Sequence, residues 1–299
     1  YRSPDDGETW ALARTLSGAN RVNSFVISPR DTAVMVAAVT TTGGSRQVWR
    51  TTNGGASWTS VYTPANGWGE YGIPIEMHPD SPDTMFIGVD NSVLYRSIDR
   101  GATWSPYGSQ VFRSPCDIIV TPDNNNIVLV GDGITGSGIG DLWQSPDGGL
   151  TFTQRELALG SEIPGMSMGR LNNKVAFATT WSSAGVRYTT DGGKLWPLVP
   201  DLNRSGQNVF SSWGTAVSHD DANVVTVGVY SGGLGYLSTD GGATFSSAAL
   251  TGSNYSFDIR DRETILAEQS GAVFKMRFAY VYTPSTSAQS VTVTAPNGG

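Results

Sequence analysis

Cysteine and histidine are almost absent from this chain. One Cys and two His occur among 299 residues. Cys116 therefore has no partner for an internal disulfide, and no Cys/His metal cluster can be built. No metal and no cofactor are expected. His78 and His219 both fall in turn sequences, which argues against a Ser–His–Asp site. Charge is also sparse. Charged residues make up 15 % of the chain and the net charge is −7. That balance excludes the basic surface a nucleic acid or an anionic membrane would need. Long apolar runs are missing as well. The longest are strand-length, so no membrane-inserted helix is expected. Nothing reads as a long amphipathic helix.

Glycine is plentiful, at 37 residues, and it marks a repeat. Ser97-Ile98-Asp99-Arg100-Gly101-Ala102-Thr103-Trp104 has the form S-x-D-x-G-x-T-W, and residues 3–10 (SPDDGETW) are a second clean copy. Residues 145–152 (SPDGGLTF) and 238–245 (STDGGATF) replace Trp by Phe, and residues 51–58 (TTNGGASW) and 189–196 (TTDGGKLW) are looser. The copies begin at residues 3, 51, 97, 145, 189 and 238, so successive gaps are 48, 46, 48, 44 and 49 residues. A period in the mid-forties built from short strands predicts an all-β propeller with four antiparallel strands per blade. The motif explains itself. An Asp side chain accepts backbone N–H groups just ahead of it, and Gly supplies positive φ. The closing ring is large enough to fill the space between blades. Asp5, Asn53, Asp99, Asp147, Asp191 and Asp240, with Trp10, Trp58, Trp104, Phe152, Trp196 and Phe245, are thus read as structural.

The repeat resembles the Asp-box (BNR-repeat) propellers, as in sialidases, two-propeller xyloglucanases, sortilin-type receptors and photosystem II assembly factors. The resemblance covers about residues 1–283. It implies the fold and leaves the activity open, because unrelated functions share the motif.

Each repeat reads strand, polar turn, strand, variable loop, strand, box, strand. Counting Tyr1-Arg2-Ser3 there are seven third-strand segments, and seven blades are favoured. The first blade then lacks its two inner strands, which residues preceding Tyr1 or another segment would fill. The alternative is six blades, closed by a strand at about 9–16 pairing with the C-terminal three. Tyr1 lies inside a repeat, so the lack of a leader peptide is uninformative. Residues 284–290 read as a linker. Residues 291–299 (VTVTAPNGG) resemble the start of an Ig-like module of secreted bacterial proteins, or a disordered tail.

The boxes share one rim with the first-to-second-strand turns. Those turns carry Asp31, Asp80, Asp83, Asp123, Asp220 and Asp221, read as turn residues. The opposite rim carries the variable loops, where function on a rigid scaffold concentrates. There lie Trp68, Tyr71, Phe112, Trp181, Trp213 and Tyr230, with Arg155 and Arg204. Aromatic platforms among polar groups suit sugar rings, whose C–H faces stack on Trp and Tyr; some of these rings would instead pack between blades. Hydrolysis of a glycoside needs two carboxylates facing one cleft. Glu70, Asp132, Asp141 and Glu162 are the candidates on that rim, and no spacing selects a pair. The sialidase resemblance implies an arginine triad. Arg113, Arg155 and Arg204 are available, but no matching motif surrounds them. Arg2, Arg50, Arg96 and Arg187 recur at the third-strand position and read as structural.

The leading expectation is a non-catalytic, extracellular or cell-surface binding or structural module of a larger secreted protein. It would contact glycan or protein through the loop rim. The alternative is a glycoside hydrolase, or half of a two-propeller one. A third reading is a subunit of a surface assembly, in which a neighbouring copy or module fills the first blade.

Overall fold

The computed structural model describes residues 1–279 and 290–294, apart from residues 70, 123–125, 134–138, 182–184, 204–208, 210, 231, 251, 262–263 and 270–271. Six antiparallel sheets follow one another along the chain. The first holds β1 (Ala19–Ile27), β2 (Met35–Thr41), β3 (Arg46–Thr51) and β4 (Thr59–Tyr62). The second holds β5 (Ile75–Met77), β6 (Met85–Ile87), β7 (Ser92–Ser97) and β8 (Ser105–Phe112). In the third are β9 (Pro115–Val120), β10 (Val128–Asp132), β11 (Asp141–Ser145) and β12 (Thr153–Glu156). The fourth has β13 (Glu162–Met168), β14 (Ala176–Trp181) and β15 (Arg187–Thr189), with an Arg187–Leu198 bridge at its outer edge. The fifth has β16 (Ser212–Val217), β17 (Val225–Val229), β18 (Leu234–Ser238) and β19 (Ser246–Ala249). The sixth has β20 (Asn254–Asp261), β21 (Thr264–Gln269), β22 (Ala272–Ala279) and β23 (Ser290–Thr294).

Burial follows position in the blade. Second strands such as β10 and β17 are buried at every residue, because sheets pack on both of their faces. Their sequences, VLVGD and VTVGV, are correspondingly apolar apart from Asp132 and Thr226, which are buried too. Fourth strands such as β4 and β12 face solvent at their first two residues. The core is a series of inter-sheet clusters. Leu129, Ile163 and Ala176 share one, and Phe177, Val217 and Val227 share the next.

The boxes form as the sequence dictates. Ser97 Oγ donates to Asp99 Oδ1 at 2.7 Å and accepts the Gly101 N–H at 2.8 Å. Asp99 Oδ1 accepts the Thr103 N–H at 2.9 Å, and the Thr103 hydroxyl donates to Oδ2 at 2.6 Å. Ser3–Asp5–Thr9, Ser145–Asp147–Thr151 and Ser238–Asp240–Thr244 repeat this network. In the looser copies Thr51–Asn53 and Thr189–Asp191 keep the first half of it. Gly101 has φ +75° and stands against Val36 of β2, where a Cβ would collide. That close approach, as much as the turn, demands glycine.

Two expectations are corrected. Among the described residues there are six sheets rather than the favoured seven blades, because the N-terminal repeat contributes a hairpin and no inner strands there. Arg2 pairs with Ala11 in an isolated bridge. The sixth sheet is closed by β23, whose Val293 pairs with Met276, and not by a strand at 9–16. Residues 290–294, read as the end of a linker and the start of another module, thus lie on a propeller edge. Trp10 is the most exposed of the box rings, at 40 %.

Candidate functional site: the two ends of the propeller axis

The first strands line the axis, and a belt of side chains ties the first five of them, β1 to β16, in sequence. Ser24 Oγ of β1 accepts the Ile75 N–H of β5 at 3.1 Å. Glu76 of β5 accepts the Val120 N–H of β9. Asp117 Oδ2 of β9 accepts the Met166 N–H of β13 at 2.7 Å. Ser167 Oγ of β13 accepts the Val217 N–H of β16 at 2.9 Å. Each strand edge facing the axis would otherwise leave N–H groups unpaired, so the belt fixes the spacing of the blades.

On the box rim this belt opens into a cavity of about 400 Å³ lined by Glu76, Asp117, Met77, Met166, Met168, Arg170 and His219. Glu76 lines this cavity and is half-buried. Burial, then the nearby Asp117 charge, pushes its carboxyl up to about 8. Burial pushes Asp117 up to about 7 against two backbone N–H bonds. The sequence reading missed both acids. The available signal was a charged residue inside each of two first strands, Ile75-Glu76-Met77 and Cys116-Asp117-Ile118. Their belt role accounts for them without a ligand.

At the loop rim five rings from four sheets converge. Trp181 at the end of β14 meets Trp213 of β16 edge to face, with centroids 5.3 Å apart. Tyr230, just after β17, lies 4.9 Å from Trp181 and 5.4 Å from Trp213. Tyr255 of β20 lies 5.6 Å from Tyr230. Tyr71, ahead of β5, reaches the same cluster with its ring 5.7 Å from Trp213. The Arg21 guanidinium of β1 stands 5.4 Å over the Tyr71 ring. Trp213 is 7 % exposed and forms the floor, whereas Tyr71 is 52 % exposed. Trp181, Tyr230 and Tyr255 are half-buried. Tyr255 was not anticipated. The signal was positional, since Asn254-Tyr255 opens its first strand as Ser212-Trp213 opens another.

The other candidates do not join this surface. Trp68 is 2 % exposed and packs with Val36 and Ile87, and Phe112 is buried against Trp143 and Phe152. Both are core, because their loops turn the rings inward between sheets. Arg155 Nε donates to Gln144 Oε1 at 2.9 Å on an outer strand. The third-strand arginines are also held locally: Arg50 Nε donates to the Arg100 carbonyl, and the Arg96 guanidinium stacks 3.7 Å over Tyr107. Glu70, Arg204 and the turn residue Asp123 lie outside the described residues.

Three carboxylates on the loop rim can be judged. Asp132 is buried and accepts the Arg113 and Ser114 N–H groups at 3.0 and 2.7 Å. Asp141 forms a 2.9 Å ion pair with Arg113 and accepts the Ala158 N–H at 3.2 Å. These two acids and Arg113 therefore brace the ends of their loops. Glu162 differs. It opens β13, its backbone pairs with Trp181 beside the ring cluster, and it has no hydrogen-bond or ion-pair partner among the described residues. Partial burial raises its carboxyl above the usual range. Among the described residues no group of three or more His, Cys, Asp or Glu is placed to hold a metal ion, and no helix is long and apolar enough to cross a membrane.

Comparison with known proteins agrees with this architecture. The sortilin family ("Sortilin, neurotensin receptor 3") matches residues 1–132. A xyloglucanase of Hypocrea jecorina (strain QM6a) is 29 % identical over 239 residues, which is 64 % of this chain and 27 % of that protein. The chain thus spans about a quarter of that relative's length. Among solved structures, an ancestral GH74 enzyme superposes with a TM-score of 0.71 at 17 % identity, covering 88 % of this chain and 37 % of that one. YCF48 bound to D1 peptide gives 0.64 at 12 % identity, covering 87 % and 80 %. At such identities the structural likeness carries the fold alone.

Proposed function

Because the chain is a β-propeller of the Asp-box (BNR) type, we propose that it is a glycan-binding module that holds a polysaccharide on the ring cluster at the loop-rim end of its axis and does not cleave it unaided. One observation carries this reading. Tyr71, Trp181, Tyr230 and Tyr255 converge from separate sheets and stay partly open to solvent. Rings fixed by one another lose little freedom on binding and offer apolar faces with polar tips. The similarity to xyloglucanases makes xyloglucan the first glycan to try. An extracellular setting follows from that choice of ligand. The test is calorimetric titration with xyloglucan oligosaccharides, with mass spectrometry of the recovered sugar. Saturable binding and intact sugar are expected. Absence of binding to any β-glucan would remove the reading.

Glu162 favours a second reading, in which this propeller is one part of a glycoside hydrolase. A half-buried acid with a raised proton affinity, beside a sugar platform, has the character of a general acid. The second carboxylate would come from another propeller, since Asp132 and Asp141 are engaged by Arg113 and backbone N–H groups. Hydrolysis by a longer form of the protein, abolished by Glu162→Gln, would establish it.

A further inference from the structure

The rings at the loop-rim end of the axis are arranged round a point, not along a line. Trp181 comes from the fourth sheet, Trp213 and Tyr230 from the fifth and Tyr255 from the sixth. Tyr71 precedes the second sheet, and Arg21 reaches over it from the first. Five sheets thus contribute to one round patch.

The ring planes differ as sharply as their origins. Tyr71, Trp181 and Tyr255 stand at 86°, 79° and 82° to the Trp213 ring. Trp181 and Tyr255 stand at 85° and 79° to Tyr230. Among these contacts only Tyr230 and Trp213 approach a common plane, at 40°, and Trp213 is the closed floor. No two touching rings that are open to solvent therefore share a plane. Edge-to-face contact is the arrangement aromatic quadrupoles prefer, so the rings hold one another in these orientations.

An extended β-linked glucan is a ribbon. Its successive units can stack together only on rings that lie side by side in one plane. Crossed rings in a round patch offer a face to one unit and an edge to the next. A terminal unit avoids this mismatch, because a single linkage leads away from it into solvent. It also carries hydroxyls that an internal unit has tied up in linkages. An acceptor for them stands beside the rings. Glu162 lies opposite Trp181 in the β13–β14 pairing, so the two side chains leave the sheet on the same face. Its carboxylate has no hydrogen-bond or ion-pair partner among the described residues, and two carboxylate oxygens can accept several hydroxyls. The Tyr230 and Tyr255 hydroxyls are already bonded to each other.

We propose that the ring cluster is a site for one terminal pyranose, the end of a chain or of a branch, stacked on a single ring and held through its hydroxyls by Glu162. The inference rests on the glycan reading and narrows it from a polysaccharide in general to its ends.

Calorimetric titration with cellobiose, cellotetraose, cellohexaose and a xyloglucan heptasaccharide tests it. A terminal site gives affinities per molecule that agree within about twofold along the linear series. Equal affinity for the branched sugar assigns the site to chain ends, and tighter or exclusive binding of the branched sugar assigns it to branches. Glu162→Ala should weaken every sugar that binds by about tenfold, with no fall in Tm. Affinity that climbs about tenfold or more from the disaccharide to the hexasaccharide would overturn the proposal and leave the glycan reading standing. Unchanged affinity in Glu162→Ala would do the same. No binding to any of the four sugars would remove the glycan reading, and this inference with it.

Discussion

Trp181 and Trp213 meet edge to face at 5.3 Å, yet only Trp213 is closed off from solvent. The pair divides the ring cluster into a floor and a surface. Trp213→Ala should therefore act on stability, at about 3–5 kcal/mol for a buried Trp, read as a lower urea midpoint. Tyr71→Ala should leave the midpoint nearly unchanged and weaken glycan binding by about 1–3 kcal/mol. Loss of binding in Trp213→Ala at unchanged stability would reverse the two roles.

Asp132 makes a second division, between bracing and catalysis. Asp132→Ala strands two backbone N–H groups and removes one partner of Arg113. A cost of about 1.5–3 kcal/mol is expected, with glycan affinity unaltered. Asp132→Asn retains an acceptor and should recover part of that loss. A stable Asp132→Asn protein that had lost a hydrolytic activity would instead return this acid to the catalytic candidates.

The boxes predict acid sensitivity. At Asp5 and Asp147 the Thr hydroxyl bond is the largest influence and lowers the carboxyl below its ordinary value. At Asp99, Asp191 and Asp240 burial opposes the shift and the hydrogen bonds outweigh it. A folded value below the unfolded one means stability present above about pH 4 and lost as pH falls through the folded values. The Tm should drop steeply below about pH 4. Asp99→Ala should cost about 1–2 kcal/mol at neutral pH, and that cost should shrink in acid.

Glu76 and Asp117 predict the opposite slope at higher pH. Their folded values, about 8 and about 7, lie above the unfolded ones. The folded state then holds protons that the unfolded state releases, so stability falls as pH rises between about 4 and 8. Burial lowers His78 and His219, which opposes this slope around neutral pH. Glu76→Gln keeps an acceptor for the Val120 N–H and removes the charge. It should flatten the decline of Tm between pH 6 and 8, on the order of the window set by the raised values. An unchanged slope in Glu76→Gln would mean that the cavity keeps this carboxylate ionised.

The fold was legible because its determinants are local and repeated. Each box closes within eight residues, and Ser97, Asp99 and Thr103 bond one another in the way their spacing dictates. The blade count was not legible, because it depends on whether an inner pair stands beside Arg2, and Arg2 has the same sequence either way. The ring cluster was half legible. Tyr71, Trp181, Trp213 and Tyr230 were expected on one rim and meet there. Trp68 and Phe112 have the same composition and loop setting but turn inward, which only the gap between neighbouring sheets decides. Glu76 and Asp117 escaped notice because the N–H groups they accept belong to other repeats, at Val120 and Met166.

The central claim is that this propeller holds a glycan on its loop-rim rings. The most direct measurement is calorimetric titration of xyloglucan oligosaccharide into the chain and into Tyr71→Ala, at matched folded fractions. The account predicts saturable binding to the parent chain, at least about fivefold weaker in Tyr71→Ala, with the sugar recovered intact. Equal affinity in both proteins, or no binding to either, would contradict it.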